Sequence, residues 1–491
     1  GQQENPGEIN DMIFSTLEFV VFFVILLLTY YKTAGKYRWA VLFIGSSVFL
    51  AYLSFNFLFY TYAIVMINYF LAIGITKIQD EKRKRILYIS GLIVNIGQLV
   101  FYKYINFLLD NVNGLLGLTD VSADVPHINL IAPIGISYFT FETIGYIVDV
   151  YRGLEKPERH LGVFATYILF FPKLLAGPIE RSRRFLPQLH KRKTWDRELF
   201  TDGMRQLVWG LFKKLVVAER LATLIASVYG NVEAYSGYSL LAVLFLQTIY
   251  LYTDFSGYTD IALGIGKLLG FRLTNNFDRP LFARNVSMFW RKWHITLSSW
   301  CNDYIFKRIL LNRRRWQQWA AVYGVFMTFL VIGIWHGAGW TFVVLGLLQG
   351  LAINYEFFTK RTRLRLASKL PRKLVTGISI FSVVVFYSFS LVFFNAHNLG
   401  DAFYFIGHMF DGSAFDLFHA RTGWRPSQAY IMMAGFMIVL LVDTLHENGI
   451  ELRNTFYARF TWVRWALYYA LILSVIMLGK FSSSHFVYFQ F

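Results

Sequence analysis

The sequence is poor in charged residues and has a single cysteine. Charged side chains make up 16% of its 491 residues, below the share of about 25% that soluble proteins carry. This deficit argues against a soluble globular protein. The lone Cys301 excludes a framework of intrachain disulfides.

Acidic residues are also scarce, with 30 Asp and Glu against 48 Lys and Arg. The excess of basic residues lies in short loops between apolar runs, where the positive-inside bias of membrane proteins explains it. Nucleic-acid binding is therefore not expected. Motifs of several soluble enzymes are missing too: the sequence has no HExxH, no cysteine pair, no Gly-rich phosphate loop and no G-x-S-x-G elbow. We expect no metal site.

Apolar side chains are abundant, at 56% of the chain. At about 20 residues per crossing, they predict an all-α polytopic membrane protein with about 11–12 transmembrane helices. The predicted spans are 13–31, 39–55, 57–76, 86–108, 128–150, 203–228, 238–254, 319–335, 340–358, 374–395, 428–444 and 464–480. The span at 203–228 is the weakest, because charged residues interrupt it.

The loops set the expected orientation. Five basic loops, at 32–38, 77–85, 180–197, 307–315 and 360–373, fall on one side of the membrane if both termini lie on the other. The positive-inside bias places that side in the cytoplasm. We expect one membrane domain at 12–491 that ends in an extracytoplasmic aromatic tail at 481–491. A polar extension at 1–11, native or introduced by cloning, precedes it.

Two segments fit no simple crossing. The apolar run 161–178 is broken by prolines, and 255–306 mixes glycines with charged and aromatic residues. Irregular backbone at membrane depth is tolerated only inside protein or around a wet cavity. Both segments are therefore candidates for re-entrant elements that shape a central cavity. The alternative is a set of helices lying flat on the inner leaflet.

His336 is the first candidate for chemistry. It follows the span 319–335 and begins the stretch His-Gly-Ala-Gly-Trp. An ionisable residue at membrane depth indicates function by default, and a neutral imidazole can take a proton from a hydroxyl and return it to a leaving thiol. The alternative is a histidine that only hydrogen-bonds its own turn.

His294 is the second candidate. Arg291, Lys292 and Trp293 precede it, and Asn276 lies upstream. The basic neighbours suit the phosphates of an anionic donor, so these four residues are candidates for binding a coenzyme. An interfacial helix with a cationic face is an equal interpretation.

Several carboxylates near these histidines have two interpretations. Asp254 or Asp278 could orient an imidazole, but ion pairs with nearby Arg and Lys fit them better. The same two interpretations hold for Glu142, Asp149 and Asp443.

Taken in order, these segments resemble the membrane-bound O-acyltransferase (MBOAT) family, in particular its bacterial branch that O-acetylates alginate and peptidoglycan. The resemblance covers 12–491. It is carried by IAPIGISYFTF at 131–141, FPKLLAGPI at 171–179, DFSGY at 254–258, NF at 276–277, FWRKWHI at 289–295 and WHG at 335–337.

The resemblance implies a tunnel through a helical bundle in the bacterial inner membrane. The family's essential histidine corresponds to His336, reached from both aqueous compartments, and its second polar position to His294, which positions substrate or stabilises developing charge. The implied donor is acetyl-CoA or a similar short acyl thioester, with no permanently bound cofactor. The implied partners are a periplasmic SGNH-type acetyltransferase and a polysaccharide acceptor.

The carboxyl-terminal residues suggest an acyl carrier. The run FVYFQF at 486–491 resembles the Phe-x-Tyr-Phe end of a small carrier that works with the D-alanyl-exporting members of the family. Tyr488 could hold the acyl group as a phenolic ester, or the run could be an aromatic interface anchor. Two other functions stay open: D-alanyl transfer to teichoic acid, and transport of a small molecule with a histidine proton relay.

Overall fold

The computed structural model describes residues 14, 16–118, 125–130, 132–133, 135–413, 415–418, 422–450 and 460–481. Within these ranges it contains helices and no strand, which confirms the predicted all-α class. The extension at 1–11, the start of the first predicted span and the tail with Tyr488 lie outside the described residues.

The described part of the chain contains a series of α-helices. In chain order they are α1 Leu17–Lys32, α2 Arg38–Leu53, α3 Phe55–Lys77, α4 Glu81–Leu99, α5 Ile105–Leu116, α6 Ile136–Tyr151, α7 Leu161–Leu169, α8 Phe171–Leu174, α9 Ser182–His190, α10 Arg197–Leu211 and α11 Glu219–Gly230. They continue as α12 Gly237–Leu268, α13 Val286–Lys292, α14 Ile295–Cys301, α15 Lys307–Asn312, α16 Gln318–His336, α17 Trp340–Ala367, α18 Arg372–Asn395, α19 Leu399–His408, α20 Pro426–Glu447 and α21 Thr461–Leu478.

Eight stretches of described helix are long and apolar enough to cross a membrane: α3, α4 continued through α5, α12, α16, α17, α18, α20 and α21. Seven predicted spans lie entirely within them, and the eighth, 464–480, ends two residues beyond α21. Helices α1, α2 and α6 are shorter, with 16 residues each, and are not among these eight. The chain is a multi-pass membrane protein.

The chain divides into two compact units. One comprises Gly1–Arg205 with Ala262–Thr274, and the other comprises Gln206–Ile261 with Asn275–Phe491. In the first, the broken segment at 161–178 forms the short helices α7 and α8, and side chains such as Phe164, Ile168 and Phe170 are fully buried. This segment is packed inside protein, as the re-entrant interpretation expects.

In the second unit, the weak span at 203–228 is a helix interrupted by a π-helical segment, Phe212–Ala218. This segment buries Lys213 and Lys214. The Lys214 ammonium lies 2.5 Å from a carboxylate oxygen of Asp254 and 2.8 Å from one of Glu219. Lys213 and Lys214 are thus neutralised by buried or partly buried carboxylates, whereas Arg220 donates to backbone carbonyl groups.

Helices α16 and α17 form an antiparallel pair that approaches closely. A Cβ atom built on Gly346 would lie 2.4 Å from the carbonyl oxygen of Phe329, and one on Gly333 would lie 2.4 Å from the carbonyl oxygen of Phe342. Only glycine permits this separation of the two backbones. The close approach fixes the wall of the pocket described below.

We expect Gly346→Ala to destabilise the protein by about 1–3 kcal/mol, because the added methyl group forces the two helix backbones apart. A lower thermal unfolding midpoint in detergent checks this. Gly377→Ala on α18 is the matched control, since nothing lies within 4 Å of its Cβ position. Equal midpoints for the two variants would contradict the packing argument.

Candidate functional site

His294 lies between two short helices in a backbone conformation that is unusual for its residue type. Its φ is 41° and its ψ is 53°, in the left-handed region. Non-glycine residues there cost about 1–2 kcal/mol, and such strain is concentrated at functional sites. The chain accepts this conformation to end α13, begin α14 and hold the His294 ring fully inside the protein.

Asn276 holds the His294 ring. Its Oδ1 atom is 3.1 Å from His294 Nδ1, 3.1 Å from the backbone nitrogen of Thr296 and 2.8 Å from the Thr296 hydroxyl. A backbone N–H only donates, so the atom that faces it must be the amide oxygen. His294 Nδ1 therefore carries a hydrogen and donates, which leaves the lone pair of a neutral ring on Nε2.

The backbone reinforces this arrangement. The Ile295 N–H donates to the Asn276 carbonyl at 2.9 Å, and the Asp278 N–H donates to the Lys292 carbonyl at 2.9 Å. The segment with Asn276 thus runs beside the segment with His294. Asn276 itself is fully buried, and its Nδ2 has no hydrogen-bond partner among the described residues.

Burial also determines the charge of His294. Loss of solvent lowers the pKa of the imidazole well below its ordinary value, and the neighbouring His336 lowers it further. The His294 ring is neutral at pH 7 as a result. It packs edge-on against Phe255 at 4.7 Å between ring centroids.

Trp335 brings the two predicted histidines together. Its ring centroid lies 5.8 Å from that of His294 and 4.9 Å from that of His336. His336 is the last residue of α16 and also contacts the Phe394 ring at 5.5 Å. The stretch Trp-His-Gly thus places one indole between two imidazoles. A side chain at Gly337 would overlap the Phe342 ring, with contacts of 2.0–2.5 Å.

A mostly apolar pocket borders His336. Its cavity volume is about 20 Å³, enough for about one water molecule, and His336, Trp290, Trp293 and Tyr387 are among the residues that line it. The His336 side chain keeps 7% of its exposure, whereas His294 keeps none. Of the two histidines, His336 is the one that a substrate in this pocket would meet.

The pocket also contains polar residues that the sequence did not single out. The Trp290 indole donates to Gln349 Oε1 at 3.0 Å, and Gln349 Nε2 donates to the Ser390 hydroxyl at 2.9 Å. The sequence signal for Gln349 is the presence of a glutamine inside the otherwise apolar span 340–358.

Glu356, near the end of the same span, fixes the start of α13. Its carboxylate accepts from the backbone N–H groups of Val286 and Ser287.

The four residues predicted to bind a donor have different environments. Trp293 is buried in the pocket wall and Asn276 is buried against His294. The Lys292 ammonium lies 3.0 Å from Glu447, which also pairs with Arg279 at 3.0 Å. Arg291 is exposed, and its Nε donates to the Ser287 carbonyl. Arg291 is thus the cation of this group that is open to an anionic ligand.

The carboxylates are engaged in pairs. Asp278 lies 2.8 Å from Arg279, Asp149 lies 3.0 Å from Arg183, and Asp443 accepts from the Tyr252 hydroxyl at 2.7 Å. Glu142 forms a buried ion pair with Lys173, and these two residues belong to the first unit, as Asp149 and Arg183 do. Together with the Lys214 pairs, these contacts fit the scaffold interpretation, while an amide holds His294. Among the described residues no His, Cys, Asp and Glu cluster could bind a metal ion.

Comparisons with known proteins fit this geometry. A sequence model of the MBOAT, membrane-bound O-acyltransferase family matches residues 160–396. The chain is 34% identical to AlgI of Azotobacter vinelandii, named for alginate O-acetylation, over 81% of this chain and 78% of that protein. It is 29% identical to the peptidoglycan O-acetyltransferase of Helicobacter pylori, over 92% and 91% of the two chains.

A third relative belongs to the D-alanyl branch. The teichoic acid D-alanyltransferase of Bacillus subtilis is 32% identical over 48% of this chain and 61% of its own length. These matches confirm the resemblance seen in the sequence and favour an enzyme over a transporter. The chain belongs to the membrane-bound O-acyltransferase family and is a multi-pass membrane O-acyltransferase.

Proposed function

We propose that the protein transfers an acetyl group from a cytoplasmic thioester to a hydroxyl group. The acetyl group then serves for O-acetylation of an extracytoplasmic polysaccharide. The position of His336 carries this proposal. It borders the pocket between α16 and α17, where an imidazole can exchange protons with a bound substrate. The apolar lining disfavours water, which would otherwise hydrolyse the thioester.

The chemistry assigned to His336 is general base and then general acid catalysis. The ring accepts the proton of the attacking hydroxyl while the hydroxyl oxygen bonds to the acyl carbon. The carbon–sulfur bond of the thioester breaks, and His336 returns the proton to the departing thiolate. One ester forms for one thioester consumed, and the imidazole ends neutral.

His294 acts as a positioning residue in this scheme. Because Asn276 accepts from Nδ1, the neutral ring accepts at Nε2 and has no proton there to donate. Of the two roles expected from the sequence, this geometry favours positioning over stabilisation of a developing oxyanion. Asn276 orients the His294 ring in this scheme. This role replaces the donor-binding role that the sequence predicted for Asn276.

The donor we propose is acetyl-CoA, and Arg291, exposed on α13, is the cation we assign to its phosphates. The breadth of the matches supports acetyl over D-alanyl transfer: the two acetylation relatives match 81% and 92% of the chain, and the D-alanyl relative 48%. The acceptor would be an alginate-like or peptidoglycan-like glycan, reached through a periplasmic SGNH-type transferase. The setting is the bacterial inner membrane, with both termini extracytoplasmic.

His336→Ala should lower acyl transfer by about 10²–10⁴-fold, the usual contribution of a positioned acid–base group, and leave the protein folded. Release of free thiol from acetyl-CoA by the purified protein in detergent measures this. His397→Ala is the control, since that histidine is exposed on the turn after α18. Substantial activity in His336→Ala would refute the assignment.

In Asn276→Asp, the rate of acyl transfer should fall at acidic pH in a range where the wild-type rate does not. The carboxylate keeps the acceptor for all three donors but raises the pKa of His294 through its negative charge. Below the raised pKa, protonation removes the Nε2 lone pair, and the rate should fall about tenfold per pH unit. The pH profile of kcat/KM for Asn276→Asp, wild type and Thr296→Val tests this. Identical profiles for all three would show that the neutral tautomer has no role.

Tyr488 is proposed as a carrier of the acyl group. Incubation with labelled acetyl-CoA should place label on the carboxyl-terminal peptide, because a phenol of pKa near 10 is both activated by a base and readily displaced. Peptide mass spectrometry detects the adduct. Tyr488→Phe should lose it, whereas Tyr430→Phe, at an exposed position of α20, should retain it. Absence of label during turnover would count against the carrier role.

A further inference from the structure

The turn between α17 and α18 concentrates positive charge at the start of a helix. Arg372 and Lys373 open α18, whose N-cap, Pro371, offers no side-chain hydrogen bond and whose first turn contains no acid. Cations at this end oppose the helix dipole, which favours anions there. No Asp or Glu occurs in the sequence from 357 to 400. The acid on these two helices that is nearest in sequence is Glu356 of α17, whose carboxylate accepts from the backbone N–H groups of Val286 and Ser287.

An open pocket with a volume of about 370 Å³ lies at this turn. Arg284, Arg372, Ser368 and Thr376 are polar residues of its lining, and Leu370 and Val375 are apolar ones. Neither Arg284 nor Arg372 forms an ion pair with any residue that the structure describes. Arg284 comes from the connection that precedes α13, so two separate parts of the chain each contribute an arginine to the lining of one pocket.

The position of the pocket relative to the membrane indicates which ligand it binds. Both α17 and α18 are long and apolar enough to span a membrane, so the turn that joins them lies at a membrane face. Basic pockets between transmembrane helices at headgroup depth bind anionic lipids. We propose that this pocket binds the phosphate group of an anionic phospholipid, with Arg284 and Arg372 on the phosphate oxygens and the apolar wall along the first part of the acyl chains.

The phosphates of a CoA donor are the other source of the same chemistry, and helix length argues against them. Phe394, which contacts the His336 ring, and Arg372 stand at opposite ends of α18, about 33 Å apart at 1.5 Å per residue. A pantetheine arm has the length of about five extended residues, about 18 Å. A donor with its phosphates at Arg372 would not reach His336. The exclusion of a CoA donor rests on the proposed role of His336, whereas the lipid proposal itself does not.

The test measures lipid retention by native mass spectrometry of the delipidated full-length protein in detergent. The probes are phosphatidylglycerol, the zwitterionic phosphatidylethanolamine, and coenzyme A. Three forms are compared: wild type, Arg284→Gln with Arg372→Gln, and the control Arg314→Gln with Arg315→Gln, which removes the same charge from the exposed 3-10 turn that precedes α16. Size-exclusion profiles verify that each variant remains folded, and Arg284→Lys with Arg372→Lys tests charge without the guanidinium fork.

We expect one phosphatidylglycerol adduct on wild type and on the control, and about tenfold weaker retention in the pocket variant, a loss typical of one or two charge-assisted contacts. Phosphatidylethanolamine should bind more weakly, and coenzyme A should not displace the lipid. Equal retention by all forms, or equal loss in the pocket and control variants, would overturn the proposal. Displacement of the lipid by coenzyme A would assign the pocket to the donor instead.

Discussion

One amide oxygen determines the state of the polar centre of the second unit. Asn276 Oδ1 accepts from the ring of His294 and twice from Thr296, and it thereby sets the tautomer of a buried imidazole. The same contacts stabilise a left-handed backbone at His294, which would otherwise be unfavourable. Loss of this acceptor would leave a buried backbone N–H unpaired, at a cost of about 1–3 kcal/mol. The geometry around Trp335 therefore depends on Asn276.

The sequence was sufficient for features that bilayer thickness dictates. Runs such as 319–335 and 374–395 became α16 and α18 almost to the residue, because a helix that crosses lipid must be apolar for a set length. The same reasoning made His336 a candidate for chemistry, since it lies between two such runs, and the structure places it at the lining of a pocket. The segment predicted to be broken, 255–306, is so only in part: α12 continues to Leu268, and the remainder forms short helices whose tryptophans are buried.

The sequence could not supply contacts between distant segments. Nothing in its spacing says that Asn276 supports His294, or that Glu356 fixes the start of a helix 70 positions earlier. Asp254 looked equally able to orient a histidine, and only packing pairs it with Lys214. Charged residues weakened the predicted span at 203–228 because hydropathy treats each charge alone, whereas Lys213, Lys214 and Glu219 form ion pairs inside the protein. Partner choice depends on tertiary structure, which residue patterns do not encode locally.

The single cysteine has a practical consequence. Cys301 ends α14 and is fully buried, so its thiol is shielded from bulky polar reagents in the folded protein. A cysteine introduced into any connecting loop would be the one thiol open to a membrane-impermeant maleimide. The natural chain is thus already suited to reagent mapping of which loops face each compartment, without first removing native thiols.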